Sequence, residues 1–275
     1  MEKQYTIYGN PVSHSKSPQM HNAGFDYLKN DSVYTKTHLE NGKDIKKHFL
    51  KNNISGANIT VPYKEIAFEK ADKIKGLAVQ IGAVNTYIKK DNKVIGYNTD
   101  APGFMKAIEE FGDINNVIIL GAGGTAKAIA VAFAKENIKT TILNRSASRL
   151  EFFEDINCEV YTWEDFKPSK YDLVINATSA GLKDEEYPIP LDILLDILSN
   201  STYAIDCIYG KMTPFLQKAQ ENNLIYKDGE DMLLYQGVIA FELFTGIKAD
   251  KYLVEEMRKG LKYNETKKTT VQVSK

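Results

Sequence analysis

The stretch NVIILGAGGTAKAIAVAFAKEN, residues 116–137, constrains the fold more than any other. An apolar run passes without a break into Gly121-Ala122-Gly123-Gly124-Thr125-Ala126, and an alanine-rich helical pattern follows. A strand that feeds a helix through so short a turn opens a βαβ unit on a parallel sheet. Gly121 permits the tight turn, Gly123 lets backbone approach a pyrophosphate, and Ala126 keeps the helix close to the sheet. The helix N-terminus offers free N–H groups and a positive dipole end to phosphates, with Gly124 and Thr125 in its first turn.

The end of the next strand separates two dinucleotides. An NAD site places Asp or Glu there for the ribose hydroxyls. This chain has Asn144-Arg145-Ser146-Ala147-Ser148-Arg149 instead. Guanidinium forks suit a 2′-phosphate, which an acid would repel, so the pattern points to NADP. Further on, VINATSAGL ends a strand at Thr178-Ser179, small polar groups at the sheet edge where the cofactor must lie.

Strand and helix patterns alternate along nearly the whole chain. Strands are expected at 4–9, 33–39, 56–61, 84–90, 93–97, 116–121, 139–144, 158–162, 172–177, 203–208 and 224–227. Helices are expected at 17–29, 43–52, 63–72, 101–111, 124–137, 147–155, 191–198, 213–222, 231–245 and 250–262. This is an α/β pattern of helix-covered parallel sheets, with Asp91-Asn92 turning a hairpin between two strands. The 275 residues suffice for two cores. A division near residue 100 is expected, with the last two helices returning to the first unit. The units are then 1–100 with 238–275, and 101–237 as the doubly wound nucleotide unit. The polar tail 263–275 is expected to fray.

Bulk charge narrows the partners. Lys plus Arg is 35 against 36 for Asp plus Glu, so the broad basic field of a nucleic-acid binder is missing. Cys158 and Cys207 form no Cys/His cluster, and the four histidines have no metal spacing, so no metal is expected. No signal-peptide pattern opens the chain and no apolar run is long enough to span a membrane. A cytoplasmic protein is expected, as a monomer or a homodimer.

Chemistry-bearing residues also gather in the first unit. Ser15 and Ser17 follow the first strand within GNPVSHSKSP. Asn58 and Thr60 lie in NITVPYKE, with Lys64 just beyond the strand end. Asn85 opens the hairpin, and Thr99-Asp100 closes it. Most of these sit after strand C-termini, the edge where open α/β sheets bind ligands. Hydroxyls, amides, a lysine and a carboxylate make a site for a small polyhydroxylated anion. Ser17-Pro18 is at the same time a good N-cap and N1 pair.

These segments, together with GAVNT, GYNTD, NATSAGL, TPFL and DGEDMLLYQGVIAFELFTG, resemble the successive motifs of the shikimate dehydrogenase family. They occur in the family's order over residues 5–246. The resemblance implies NADPH-dependent reduction of 3-dehydroshikimate to shikimate, in aromatic amino-acid biosynthesis by way of chorismate. By motif position, Ser15 and Ser17 match hydroxyls that hold the substrate carboxylate, and Asn58, Thr60, Asn85 and Asp100 match residues that hold ring hydroxyls. Gln236 matches another substrate contact and Tyr209 a residue near nicotinamide and substrate. Gly229 matches the glycine whose backbone meets the nicotinamide. Lys64 matches the catalytic lysine, with Asp100 beside it, while Ser13 matches no ligand and His14 needs no catalytic role.

The chain departs from the family pattern at Ala101-Pro102, at the missing proline after Tyr209, and at Glu230 and Asp231 beside the expected nicotinamide. Three alternatives differ from this reading at particular residues. A quinate/shikimate dehydrogenase using NAD predicts an acid near 144–145. A folate enzyme of similar architecture is opposed by the serine pair. A non-catalytic NADP-sensing module would be expected to lack Lys64 or Asp100.

Overall fold

The computed structural model describes residues 2–262; the segment 263–275 lies outside the described residues. The N-terminal part comprises β1 (Gln4–Gly9), α1 (Ser17–Tyr27), β2 (Val33–His38), α2 (Ile45–Lys51), β3 (Gly56–Ile59), α3 (Lys64–Lys70), β4 (Lys73–Ile74), α4 (Ala78–Ile81), β5 (Thr86–Lys90) and β6 (Lys93–Tyr97). Its strands form one mixed sheet in the order β2-β1-β3-β5-β6-β4. β1 is parallel to β2 and β3, whereas β5 is antiparallel to both β3 and β6. Asp91 and Asn92 both take positive φ, 50° and 58°, the combination a two-residue turn needs to match strand twist.

The chain continues through α5 (Asp100–Ile108), β7 (Asn116–Leu120), α6 (Gly124–Lys135), β8 (Lys139–Asn144), α7 (Glu151–Glu154), β9 (Glu159–Thr162), β10 (Tyr171–Asn176), α8 (Leu191–Ser199), β11 (Ser201–Asp206), α9 (Pro214–Glu221) and β12 (Ile225–Lys227). These strands are all parallel, in the order β12-β11-β10-β7-β8-β9. Strand order reverses between β7 and β10, and that crevice is where doubly wound sheets take ligands. Alternation along β7 shows why the sheet is covered twice. Val117 and Ile119 enter one core and Ile118 and Leu120 the other.

α10 (Glu230–Thr245) and α11 (Lys251–Lys262) return to the first sheet, as expected. Leu234, Val238, Phe241 and Phe244 join Tyr5, Ile7 and Phe25 in its core, while Met232 of the same helix packs in the nucleotide-side core. One helix is therefore embedded in both halves, and a boundary between 237 and 238 falls inside it. Gly103 makes the crossing of α5 and α10 possible: a Cβ there would stand 2.5 Å from the Gln236 nitrogen. α11 lies along α1 through Leu253, Met257 and Leu261.

Local departures from the sequence reading have local causes. The strand expected to reach 61 stops at Ile59, because the chain turns with Tyr63 N–H donating to the Thr60 carbonyl at 3.0 Å, and Pro62 has no N–H for a ladder. The stretch expected as one helix over 147–155 is a 3-10 turn followed by the short α7. β4 and α4 are too short to leave a periodic signal.

Candidate active site

The loop after β1 is folded by its own serines. Ser15 Oγ accepts the Ser17 N–H and donates to Ser17 Oγ, both at 3.2 Å. The helix cap is Lys16, with no side-chain cap bond, and Ser17 is the first helical residue. This corrects the expectation that Ser17 caps α1: the Met20 N–H already bonds back to the Lys16 carbonyl at 3.3 Å, so the helix starts one residue earlier. Both hydroxyls are buried from bulk water yet line a cavity.

In the same cavity, three short motifs converge on one carboxylate. Asp100 opens α5, where the helix dipole favours a negative charge. Its Oδ1 accepts from Asn85 Nδ2 at 2.9 Å and its Oδ2 from Lys64 Nζ at 2.7 Å. Asn98 Oδ1 accepts the Asp100 N–H, which turns the strand end into the helix. The other amide proton of Asn85 goes to Thr99 Oγ1, and its oxygen accepts from Thr99 N and Thr86 Oγ1. Asn85 thus braces Asp100 with its whole amide. Asn58 is fixed in turn, accepting from the Tyr34 hydroxyl at 2.6 Å and donating to Thr86 Oγ1 at 3.0 Å. Behind it the fully buried His21 stacks on Tyr34 with ring centroids 4.3 Å apart. Burial pulls the His21 imidazole down to about 3, so the ring is neutral at physiological pH.

Lys64 is the first residue of α3, an end where the dipole disfavours a cation. Asp100 offsets that placement. The side chains of the pair are 19% and 10% exposed, so the ammonium faces the cavity while water reaches it poorly. Ser15, Ser17, Asn58, Thr60, Lys64, Asn85, Asp100, Tyr209, Gly229 and Gln236 line one cavity of about 220 Å³. Thr125 of the glycine turn lines it too. Gln236 donates to the Leu233 carbonyl at 2.8 Å. Tyr209 stands with its ring 5.9 Å from Lys16 Nζ, and burial raises its phenol above the ordinary value. Gly229 donates its N–H to the Ile208 carbonyl, and a Cβ on it would meet the Cys207 oxygen at 2.4 Å.

A second cleft of about 450 Å³ runs along the sheet edge, lined by Gly121, Ala122, Gly123, Asn144, Arg145, Arg149, Thr178 and Ser179. Gly121 has φ +102°, which excludes other residues, and a Cβ there would meet the Thr178 methyl at 2.8 Å. Around Gly123 and Gly124 a Cβ would meet nothing within 4 Å. The backbone at the start of α6 therefore borders open space that a phosphate can fill, and no side chain caps those N–H groups. Ala126 does not face the cleft; it is fully buried in the core, where its small side chain sets the helix close to the sheet. Arg145 and Arg149 are exposed at the cleft, and Asn144 Nδ2 donates to the Ser146 carbonyl to shape their loop. The donor set fits a phosphorylated dinucleotide.

Two family models match the chain: the shikimate dehydrogenase substrate binding domain over residues 7–87, and the shikimate 5′-dehydrogenase C-terminal domain over residues 229–262. A shikimate dehydrogenase (NADP(+)) of Helicobacter hepaticus is 45% identical over 256 residues, covering 92% of this chain and 95% of that protein. The chain belongs to the shikimate dehydrogenase family. Another member, from Staphylococcus haemolyticus, is 38% identical over 94% of this chain and 100% of its own. Among solved family structures, the shikimate 5-dehydrogenase of Thermus thermophilus, in complex with NADP(H) and shikimate, superposes with a TM-score of 0.85. It has 30% identity over 94% of this chain and 98% of that one.

Several lining residues of this family member escaped the sequence reading. Ile7, Cys207, Met232 and Leu233 line the smaller cavity, and Trp163 and Tyr187 the nucleotide cleft. An apolar residue in a strand or helix reads as core, and an aromatic in a turn carries no local sign of a ligand, so only the tertiary structure reveals that these residues meet a cavity. Asp231, which the family pattern sets near the nicotinamide, turns aside instead: it pairs with Lys227 and Arg258. Neither it nor Glu230 lines the cavity beside Gly229. No helix among the described residues is long and apolar enough to cross a membrane, and no group of His, Cys, Asp and Glu there could hold a metal.

Proposed function

We propose that this chain is an NADP-dependent shikimate dehydrogenase, interconverting 3-dehydroshikimate and shikimate in cytoplasmic aromatic amino-acid biosynthesis. The observation that carries the reading is the Lys64–Asp100 pair at 2.7 Å, in a cavity also lined by two buried serine hydroxyls. Residues 1–100 with 238–262, joined by Gln236 just before that boundary, hold the substrate, and the rest of 101–237 holds the nucleotide. The serines bind the substrate carboxylate; Asn58, Thr60 and Gln236 address its ring, and Asn85 holds Asp100 in place. The Lys64 ammonium donates to the oxygen of the substrate ketone, and Asp100 steadies the cation that does so. NADPH, when bound, supplies the hydride. Gly121, Ala122, Gly123, Gly124 and Thr125 meet its diphosphate; Asn144, Arg145, Ser146 and Arg149 meet its adenosine 2′-phosphate. Thr178, Ser179, Gly229 and Tyr209 border its nicotinamide half.

Reduced-nicotinamide absorbance decides the reading directly. Shikimate with NADP should give turnover well above quinate with NAD; turnover only with quinate and NAD, or with neither pair, rejects it. Ser15→Ala and Ser17→Ala should each raise the Michaelis constant for shikimate about tenfold, about 1.4 kcal/mol, with NADP binding unchanged. An unchanged constant in the double variant would move the carboxylate elsewhere.

A further inference from the structure

We infer that Asp206 is a positioning residue whose acceptor-only carboxylate sets the direction of a buried hydrogen-bond chain, and with it the walls of both the nucleotide cleft and the substrate cavity. The inference rests on reading the chain as an NADP-dependent enzyme.

Asn176 and Asp206 are the last residues of β10 and β11, paired in register and fully buried. Asp206 Oδ2 accepts from Asn176 Nδ2 at 3.0 Å and from Thr213 Oγ1 at 2.6 Å. Its Oδ1 accepts from Ile208 N at 2.9 Å. An ionised carboxylate has no proton to give, so Asn176 must turn its NH₂ toward Asp206. Asn176 Oδ1 then faces the other way, where it accepts from Thr178 N at 3.0 Å and Thr178 Oγ1 at 2.7 Å. With its proton spent, the Thr178 hydroxyl accepts from Ala180 N at 3.2 Å. The direction of every link follows from the first. The chain ends on the turn that packs against Gly121 and lines the nucleotide cleft beside it. On its other side the same carboxylate, through Ile208 N and Thr213, fixes the segment that carries Cys207 and Tyr209 into the substrate cavity.

Stability alone does not explain the residue. Burial lifts its carboxyl to about 6, against the pull of its three hydrogen bonds, with Asp228 adding to the rise. The Cys207 thiol beside it is held neutral by burial. A carboxyl whose folded value lies above its unfolded one gives up stability as pH rises through that window. At neutral pH the carboxyl is ionised although burial favours its protonated form, and the acceptor geometry requires that ionisation.

Two variants test this. Asp206→Asn keeps the shape but offers one oxygen to donors on two sides, so either the Asn176 NH₂ or the Ile208 N–H goes unanswered. The exchange Asn176→Asp with Asp206→Asn reverses the donor and the acceptor and restores a carboxylate oxygen for Thr178. NADP binding is titrated by fluorescence of Trp163, the sole tryptophan, which lines the cleft. Shikimate kinetics are measured alongside. In Asp206→Asn the NADP Kd, the shikimate KM or both should rise about tenfold, and the exchange should return most of that loss. Recovery in the exchange also supports the inference if the single variant fails to fold. Native constants in Asp206→Asn, or an exchange variant no better than the single one, overturn it. Wild type that binds NADP without turning over shikimate would instead reject the functional reading, and the fluorescence titration would still decide the role of Asp206.

Discussion

Lys64→Ala should lower turnover by about 10²- to 10⁴-fold and leave the shikimate Michaelis constant within a few-fold of wild type. The ammonium has little to hold in the ground state, where the serines carry the substrate's charge. Its interaction strengthens as negative charge develops on the ketone oxygen, so its loss falls on kcat. Removing it also leaves Asp100 in a poorly hydrated place without its cation, and Asn85 alone remains to hold the carboxylate. Some loss of melting temperature is expected for that reason. Steady-state kinetics on a variant shown to be folded separate the two effects. A variant with near-native turnover would take Lys64 out of the chemistry. Asp100→Asn should lose turnover as well, because an amide cannot anchor the ammonium as an anion does.

Replacing Arg145 and Arg149 together by alanine should weaken NADP binding about a hundredfold and leave NAD binding nearly as it was. Each guanidinium can give charge-assisted bonds to a 2′-phosphate, and NAD offers neither a partner. Both side chains are exposed, so salt should screen the contact and narrow the wild-type preference. Dissociation constants for both cofactors, in both proteins and at low and high salt, check each part. Equal wild-type affinity for NAD and NADP would reduce the two arginines to solvated surface charges.

Much of this site is written in short local strings, because a strand-end turn fixes its ligands over a few residues. The glycine turn at 121–126 reads directly: Gly121 needs positive φ, Ala126 needs to be small, and both needs are met within one turn of chain. The arginines at 145 and 149 read directly too, since what matters there is the charge beyond the end of β8. The alternation of strands and helices was legible because burial on two sheet faces imposes period and length on every element.

Other features depend on residues that sequence keeps far apart. The pairing of Lys64 with Asp100 needs β3, β5 and β6 side by side, with Asn85 between them. The capping of α1 by Lys16 rather than Ser17 turned on which carbonyl the Met20 N–H reaches, a shift of one residue that residue type does not reveal. The chain Asp206–Asn176–Thr178 exists only because β10 and β11 lie in register. The sequence by itself determined the α/β class, the nucleotide turn, the family and the identity of the polar residues, since each is carried by pattern or residue type within a short span. Only the tertiary structure decided which of those residues face a cavity, which brace others, and which way each hydrogen bond runs. Those outcomes depend on distances between segments and on burial, which no local pattern encodes.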